Sequence, residues 1–231
     1  MKALYRLSDA SNPDKIKFSF ATKENCLGNF LHHFSKDDTI VFANNIGEHT
    51  TKLVKNLPNV KYCSASGDAS SFRLLLEYAL NLPDEEIVYF IEDDYLHRTG
   101  AKQALHEGID IVDYVSLYDH IDKYMAPSIG GNPLISQEGF DDTSVFLTPH
   151  SHWKLANSTT FCFAAKVKTI KEDADVFYNF TNGQNCEDFP AFRELIGRGR
   201  RIATPIPGFS THCEIQWASP LIDWESLLND S

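Results

Sequence analysis

An α/β fold with a mainly parallel central sheet flanked by helices is predicted by three features of this 231-residue chain. Through residues 1–117, short β-rich apolar runs alternate with segments of helical periodicity, the pattern of βαβ units. The run Ile87-Val88-Tyr89-Phe90-Ile91 is continuously hydrophobic, as strands covered on both faces are. Several runs end abruptly in polar residues: Ser8-Asp9, Asn44-Asn45 and Glu92-Asp93-Asp94. The carboxyl ends of parallel strands are where ligands sit in open α/β sheets.

The elements follow in order. Ala3 to Leu7 reads as the first strand. Thr22 to Phe34 places Cys26, Leu27, Phe30, Leu31 and Phe34 at helical spacing. Thr39 to Ala43 is a second strand. Glu48 to Leu57 is a helix stopped by Pro58. Val60 to Cys63 is a third strand, and Gly67-Asp68-Ala69-Ser70-Ser71 opens a helix running to about Leu82. After the acid-tipped strand come a helix from Thr99 to Gly108 and a strand from Ile111 to Leu117. The second half is less regular. Met125 to His150 is rich in Gly, Pro, Ser and Asp, and loops of that length are often functional lids. Trp153 and the run Ser158 to Ala164 read as strand, Glu187 to about Gly197 as helix, and Ile202 to Ile206 as strand. Pro220 to Ser231 reads as a tail or short packing helix. The whole is expected to form one domain, with about 1–97 and about 98–231 as its two halves.

Composition narrows the function classes. The net charge of −11 argues against a nucleic-acid surface, which needs clustered Lys and Arg. The cysteines Cys26, Cys63, Cys162, Cys186 and Cys213 are scattered, with no zinc-finger spacing, and read as reduced. The N-terminal residues lack a signal-peptide apolar region, and no stretch approaches a membrane span. A cytoplasmic protein is the expectation. Neither a Walker A motif nor GxGxxG is present.

Glu92, Asp93 and Asp94 carry the clearest chemical signal. Three adjacent carboxylates at a strand end repel one another and are costly to desolvate, so a cation must compensate. A hard divalent metal with oxygen ligands is the simplest candidate, and it could in turn hold a diphosphate. The plainer alternative is a solvated acidic turn. Ser8, Asp9 and Asn44 end the first two strands, where a base or ribose would be read.

With Glu92-Asp93-Asp94 at a DxD position, the pair Glu187-Asp188 before a second-half helix, and Ser210-Thr211-His212 near the end, the chain resembles glycosyltransferases of the GT-A fold. The likeness covers most of the chain in element order and is nearest to small bacterial and large-DNA-virus transferases. It departs from DxD in having Glu at the first position. The resemblance implies a GT-A-like, Rossmann-like sheet with a loop-rich acceptor half, a nucleoside-diphosphate sugar donor, a carbohydrate or glycoconjugate acceptor, and Mn²⁺ or Mg²⁺. It implies Asp94 and His212 as metal ligands, with Asp93 supporting the metal or the donor and Glu92 on the donor side. Asp188 is implied as the general base of an inverting transfer; the alternative is an ordinary acid favoured by a helix dipole. Glu187 would bind acceptor hydroxyls, and Arg73 would face the nucleotide or the acids, with an exposed helix arginine as the alternative. Trp153 and Tyr124 are candidates to stack on a sugar, against core roles for each. A sugar-phosphate nucleotidyltransferase and a non-catalytic nucleotide- or carbohydrate-binding module remain as rivals. The absence of glycine from Leu7-Ser8-Asp9-Ala10-Ser11-Asn12-Pro13 counts against the first of these.

Overall fold

The computed structural model describes residues 1–10 and 12–228. In the first half, β1 (Lys2–Ser8), α1 (Lys23–His33), β2 (Thr39–Asn44), α2 (Glu48–Val54), β3 (Val60–Cys63), α3 (Asp68–Leu80), β4 (Ile87–Glu92), β5 (Tyr95–His97), α4 (Ala101–Ile109) and β6 (Tyr114–Val115) follow one another. The second half holds β7 (Val145–Leu147), β8 (His152–Leu155), β9 (Ala164–Lys166), α5 (Val167–Glu172), α6 (Ala174–Asn179), α7 (Asp188–Gly197), β10 (Ile202–Ile206) and β11 (Ser210–His212).

A nine-stranded sheet with order β3-β2-β1-β4-β9-β6-β10-β8-β7 forms the centre. The strands β3, β2, β1 and β4 are mutually parallel, and β6 is parallel to β10. Antiparallel pairing enters through β9, between β4 and β6, and through β8, beside β10 and β7. The sheet is therefore mostly parallel, as the sequence predicts.

Side chains alternate across each strand, so β1 feeds two cores. Ala3, Tyr5 and Leu7 join residues of α1 and α4 on one face. Leu4 joins Phe72, Leu75 and Leu76 of α3, with Phe163, Phe177 and Phe192, on the other. The next residue on that second face is Arg6, which is 8% exposed. Its parallel neighbour in register is Glu92. The sheet thus turns from apolar to charged within one residue pair, at the end where the strands run out.

The predicted elements of the first half are recovered with small shifts. Thr22 caps α1, its Oγ1 accepting from the Asn25 N–H at 3.1 Å. The strand expected over 111–117 contracts to Tyr114–Val115. The strand expected over 158–164 begins only at Ala164, because Ser158, Thr159 and Thr160 line a cavity instead of pairing. Within the expected loop from Met125 to His150 the chain forms a 3-10 turn at Pro127–Ile129 and the edge strand β7. The helices α5 and α6, and the small sheet of β5 with β11, were not foreseen. The expected tail contains a 3-10 turn at Ser226–Leu228, and its residues 229–231 lie outside those described. Among the described residues no helix is long and apolar enough to cross a membrane.

Candidate active site

A cleft of about 560 Å³ opens at the ends of β1, β2 and β4. Arg6, Ser8, Asn44, Asp68, Glu92, Asp93, Asp94, Asp188 and His212 all line it. Two structural devices create it. First, Asp93 and Asp94 form the turn between β4 and β5, and β5 pairs antiparallel with β11, setting His212 opposite Tyr95. Buried Asn29 of α1 holds β5 in place, accepting from the His97 N–H at 2.7 Å and donating to the His97 carbonyl at 3.0 Å. Second, the segment before α7 packs on the start of α3. Ala69 N–H donates to the Gln184 carbonyl at 3.0 Å. Gly67, at φ +87°, permits the approach, because a Cβ there would lie 2.9 Å from that carbonyl oxygen.

Asp68, Glu92, Asp93 and Asp94 each have a cation. Arg6 pairs with Glu92, and its Nη1 donates to Asp68 Oδ1 at 2.5 Å and to the Asp68 carbonyl at 2.8 Å. Asp68 Oδ2 in turn accepts from the Cys186 N–H at 3.0 Å. Lys23 Nζ lies 2.8 Å from Asp93 Oδ2, which also accepts from the Ser8 N–H at 2.7 Å. Lys17 Nζ lies 2.8 Å from Asp94 Oδ2, and His212 Nε2 lies 3.1 Å from the same oxygen. Sequence reasoning expected a counter-charge and named a metal as its simplest form; it missed Arg6, Lys17 and Lys23. The spacing of the lysines after β1 carries no motif, so only the folded chain reveals their partners.

Burial opposes charge on Asp94, but His212 and Lys17 outweigh it and hold the carboxyl well below the usual range. Burial likewise opposes protonation of His212, and Asp94 outweighs it, so the imidazole pKa is raised. Arg6 is kept charged against burial by Glu92 and Asp68. Asp188 differs. Burial pushes its pKa up, with only partial relief from the Phe189 N–H and His120.

The ligand atoms of Glu92, Asp94 and His212 lie within 4.8 Å of one another. Asp94 Oδ1 is buried and has no hydrogen-bond partner among the described residues. Two carboxylates and an imidazole this close together could hold a divalent cation.

A second, smaller cavity of about 100 Å³ lies beyond Asp188, lined by Ser116, Tyr118, His120, Lys123 and Ser158 among others. Asp188 and Thr160 border both spaces.

Five expected positions, Asp9, Arg73, Tyr124, Trp153 and Glu187, lie away from the cleft. Arg73 donates to Thr181 Oγ1 at 3.0 Å and to the Tyr178 carbonyl at 2.8 Å, so it ties α3 to α6 instead of facing the acids. Asp9 accepts from the Gly47 N–H and Thr50 Oγ1, both at 2.6 Å, and so satisfies donors at the start of α2. Trp153 is 0% exposed, stacked on Phe146, and belongs to the core. Glu187 is exposed and lines neither cavity. Asn44 does line the cleft, while its Oδ1 accepts from the Ala65 N–H at 2.6 Å. Tyr124 donates to Asp119 Oδ2 at 2.7 Å beneath the Lys154 ammonium.

No protein-family model matches the chain, and no curated protein matches it. Solved structures do. GalNAc-T7 with UDP, GalNAc and Mn²⁺ superposes with a TM-score of 0.58 at 12% identity, covering 91% of this chain and 43% of that one. The bifunctional IspDF from Campylobacter jejuni gives 0.47 at 12%, covering 88% and 49%. The galactosyltransferase LgtC with donor and acceptor sugar analogs gives 0.45 at 8%, covering 88% and 73%. The chain spans about half or less of the first two. At these identities the likeness to GalNAc-T7 establishes a shared GT-A-like fold and nothing finer.

Proposed function

We propose that the chain is a metal-dependent glycosyltransferase that moves a sugar from a nucleoside-diphosphate sugar to an acceptor hydroxyl with inversion. One observation carries this reading: Asp188 stands where the large acid-lined cleft meets the smaller polar cavity. A carboxylate at such a junction can face a donor on one side and an acceptor on the other. The fold supports it, since GalNAc-T7 has the same architecture and was crystallised with UDP, GalNAc and Mn²⁺.

In this reading Asp94, His212 and Glu92 would hold the divalent ion, which would supply Lewis-acid neutralisation of the charge developing on a departing diphosphate. Ser8, Asn44 and Asp93 bound the nucleotide end of the cleft. Residues 1–97 supply most of the donor surface, and residues 98–231 the acceptor surface. The acceptor enters the smaller cavity among Ser116, His120, Lys123 and Ser158. Its hydroxyl oxygen attacks the anomeric carbon as the bond to the diphosphate breaks, and Asp188 takes the hydroxyl proton. The upward displacement of the Asp188 pKa by burial makes it a stronger base than an exposed aspartate.

A thermal-shift screen of nucleotide sugars with and without Mn²⁺ tests the donor class. A ligand binding only the native state at a hundredfold excess over Kd adds about 2.7 kcal/mol of stability. Stabilisation that survives EDTA overturns the metal requirement. NMR of the product decides stereochemistry, and retained anomeric configuration overturns inversion. Release of pyrophosphate from a nucleoside triphosphate and a sugar phosphate assigns the chain to nucleotidyl transfer instead.

A further inference from the structure

The two oxygens of Asp94 are in opposite states. Oδ2 faces two nitrogens, Lys17 Nζ at 2.8 Å and His212 Nε2 at 3.1 Å, while Oδ1 is buried without a hydrogen-bond partner among the described residues. Lys17 belongs to the strip that follows β1 along the cleft rim. Its backbone is fixed: Lys17 bridges to Glu214, Phe18 N–H donates to the Cys213 carbonyl at 3.1 Å, and Ile215 N–H donates to the Ile16 carbonyl at 2.9 Å. Its side chain is 34% exposed, so a flexible four-carbon stem carries the ammonium from an anchored base. Ala10, Asn12 and Lys15 of the same strip also line the cleft.

We propose that Lys17 is a resident counter-ion that leaves Asp94 when a divalent cation binds, and that it then holds the diphosphate of the donor. This rests on the reading of the cleft as a metal–nucleotide site. A divalent ion held by Asp94 and His212 occupies the surroundings of the oxygen that Lys17 now contacts. Two cations cannot share them without strong repulsion at low effective dielectric. His212 Nε2 must also give up Asp94 to ligate. The displaced ammonium stays tethered at the rim beside Lys15, where the ligand is an anion. The exchange makes binding ordered. Without metal the acids are satisfied by the protein's own cations and the rim lysine is spent. With metal a positive group is released to face the phosphates. Lys23 is not released in this way, because its partner is Asp93, outside the ligand cluster.

The test uses the full chain and calorimetry. Mn²⁺ alone is titrated first. Then UDP, GDP, ADP, CDP and TDP are titrated in saturating Mn²⁺, and the tightest binder is carried forward. Lys17→Gln keeps the stem and removes the charge. Relative to wild type, it is expected to bind Mn²⁺ roughly tenfold or more tighter, and the nucleoside diphosphate roughly tenfold or more weaker, as fits loss of a charge-assisted contact. Lys17→Arg is expected to restore most of the nucleotide affinity. Lys15→Gln, on the same rim but not on Asp94, gives the ordinary field effect of one lost charge. The proposal is overturned if Lys17→Gln shifts both affinities in one direction, shifts neither, or shifts them no further than Lys15→Gln. If wild type binds a nucleoside diphosphate only with Mn²⁺, those failures leave the transferase reading standing. If wild type binds no Mn²⁺, or no nucleoside diphosphate, both fall.

Discussion

Asp94 and Asp188 line the same cleft and are opposite in character. Asp94 sits at a strand end among a lysine and an imidazole, which hold its carboxyl far down against burial. Asp188 begins α7 with no lysine or arginine within ion-pair distance among the described residues, and burial pushes its pKa up. The first is held as an anion, which suits the cation ligand proposed for it. The second holds its proton to higher pH, which suits the base proposed for it. Environments that drive two carboxylates apart fit them for different roles on one scaffold.

The contrast breaks most visibly in rate. Asp188→Asn is expected to lower transfer by ~10²–10⁴-fold, the usual contribution of a general base, with donor affinity and Tm nearly unchanged. The sign of the pH dependence follows from the raised pKa. The base works only when deprotonated, so activity rises with pH as Asp188 loses its proton. The midpoint of that acid limb is expected above the ordinary aspartate value. A near wild-type rate in Asp188→Asn, or an acid limb at the exposed-aspartate position, removes Asp188 from the base role.

Next in size is Arg6, on which the acid side depends. Arg6→Ala leaves Glu92 and Asp68 without their shared cation. Arg6 is buried but the carboxylates are 42% and 29% exposed, so the loss is expected to fall below the about 3–5 kcal/mol of a fully buried pair, read as a lowered denaturant midpoint. Because Asp68 also accepts from the Cys186 N–H, hydrogen exchange should quicken around 184–188 as well as at the ends of β1 and β4. Unchanged protection at 184–188 would show that the two sides of the cleft are not mechanically joined through Arg6.

Asp94→Asn is expected to weaken Mn²⁺-dependent binding of a nucleoside diphosphate by at least ~100-fold, since loss even of a ligand's hydrogen-bond partner costs about 10–100-fold. The fold should persist, and equal, tight binding by the mutant in EDTA would remove Asp94 from metal binding. The smallest effect belongs to a residue that the sequence places at the site and the structure places beside it. Asp9→Ala removes two hydrogen bonds to the start of α2, costing about 0.5–1.5 kcal/mol each. It should lower Tm slightly and leave nucleotide affinity unchanged. A selective loss of nucleotide affinity would return Asp9 to the donor site.

The sheet's first four strands, their helices, and the charge at the strand ends are legible in the residues alone. They are so because each signal is local. Apolar runs of strand length, helical spacing such as Cys26, Leu27, Phe30 and Leu31, and a cap such as Thr22 all act within a few residues. Glu92-Asp93-Asp94 is legible too, because three adjacent carboxylates after an apolar run demand compensation wherever they fold. What compensates them depends on long-range packing. Lys17, Lys23 and Arg6 reach the acids across 70 residues or more, and no local periodicity records such a pairing. Pairing of β5 with β11 is equally non-local, yet it alone sets His212 beside Asp94 across 118 positions. The same packing removed Arg73 to α6 and Trp153 to the core. A long cation takes whichever acceptors lie within its reach, and an indole is buried wherever apolar surface surrounds it. Both outcomes depend on which elements become neighbours, and that is settled by the fold as a whole.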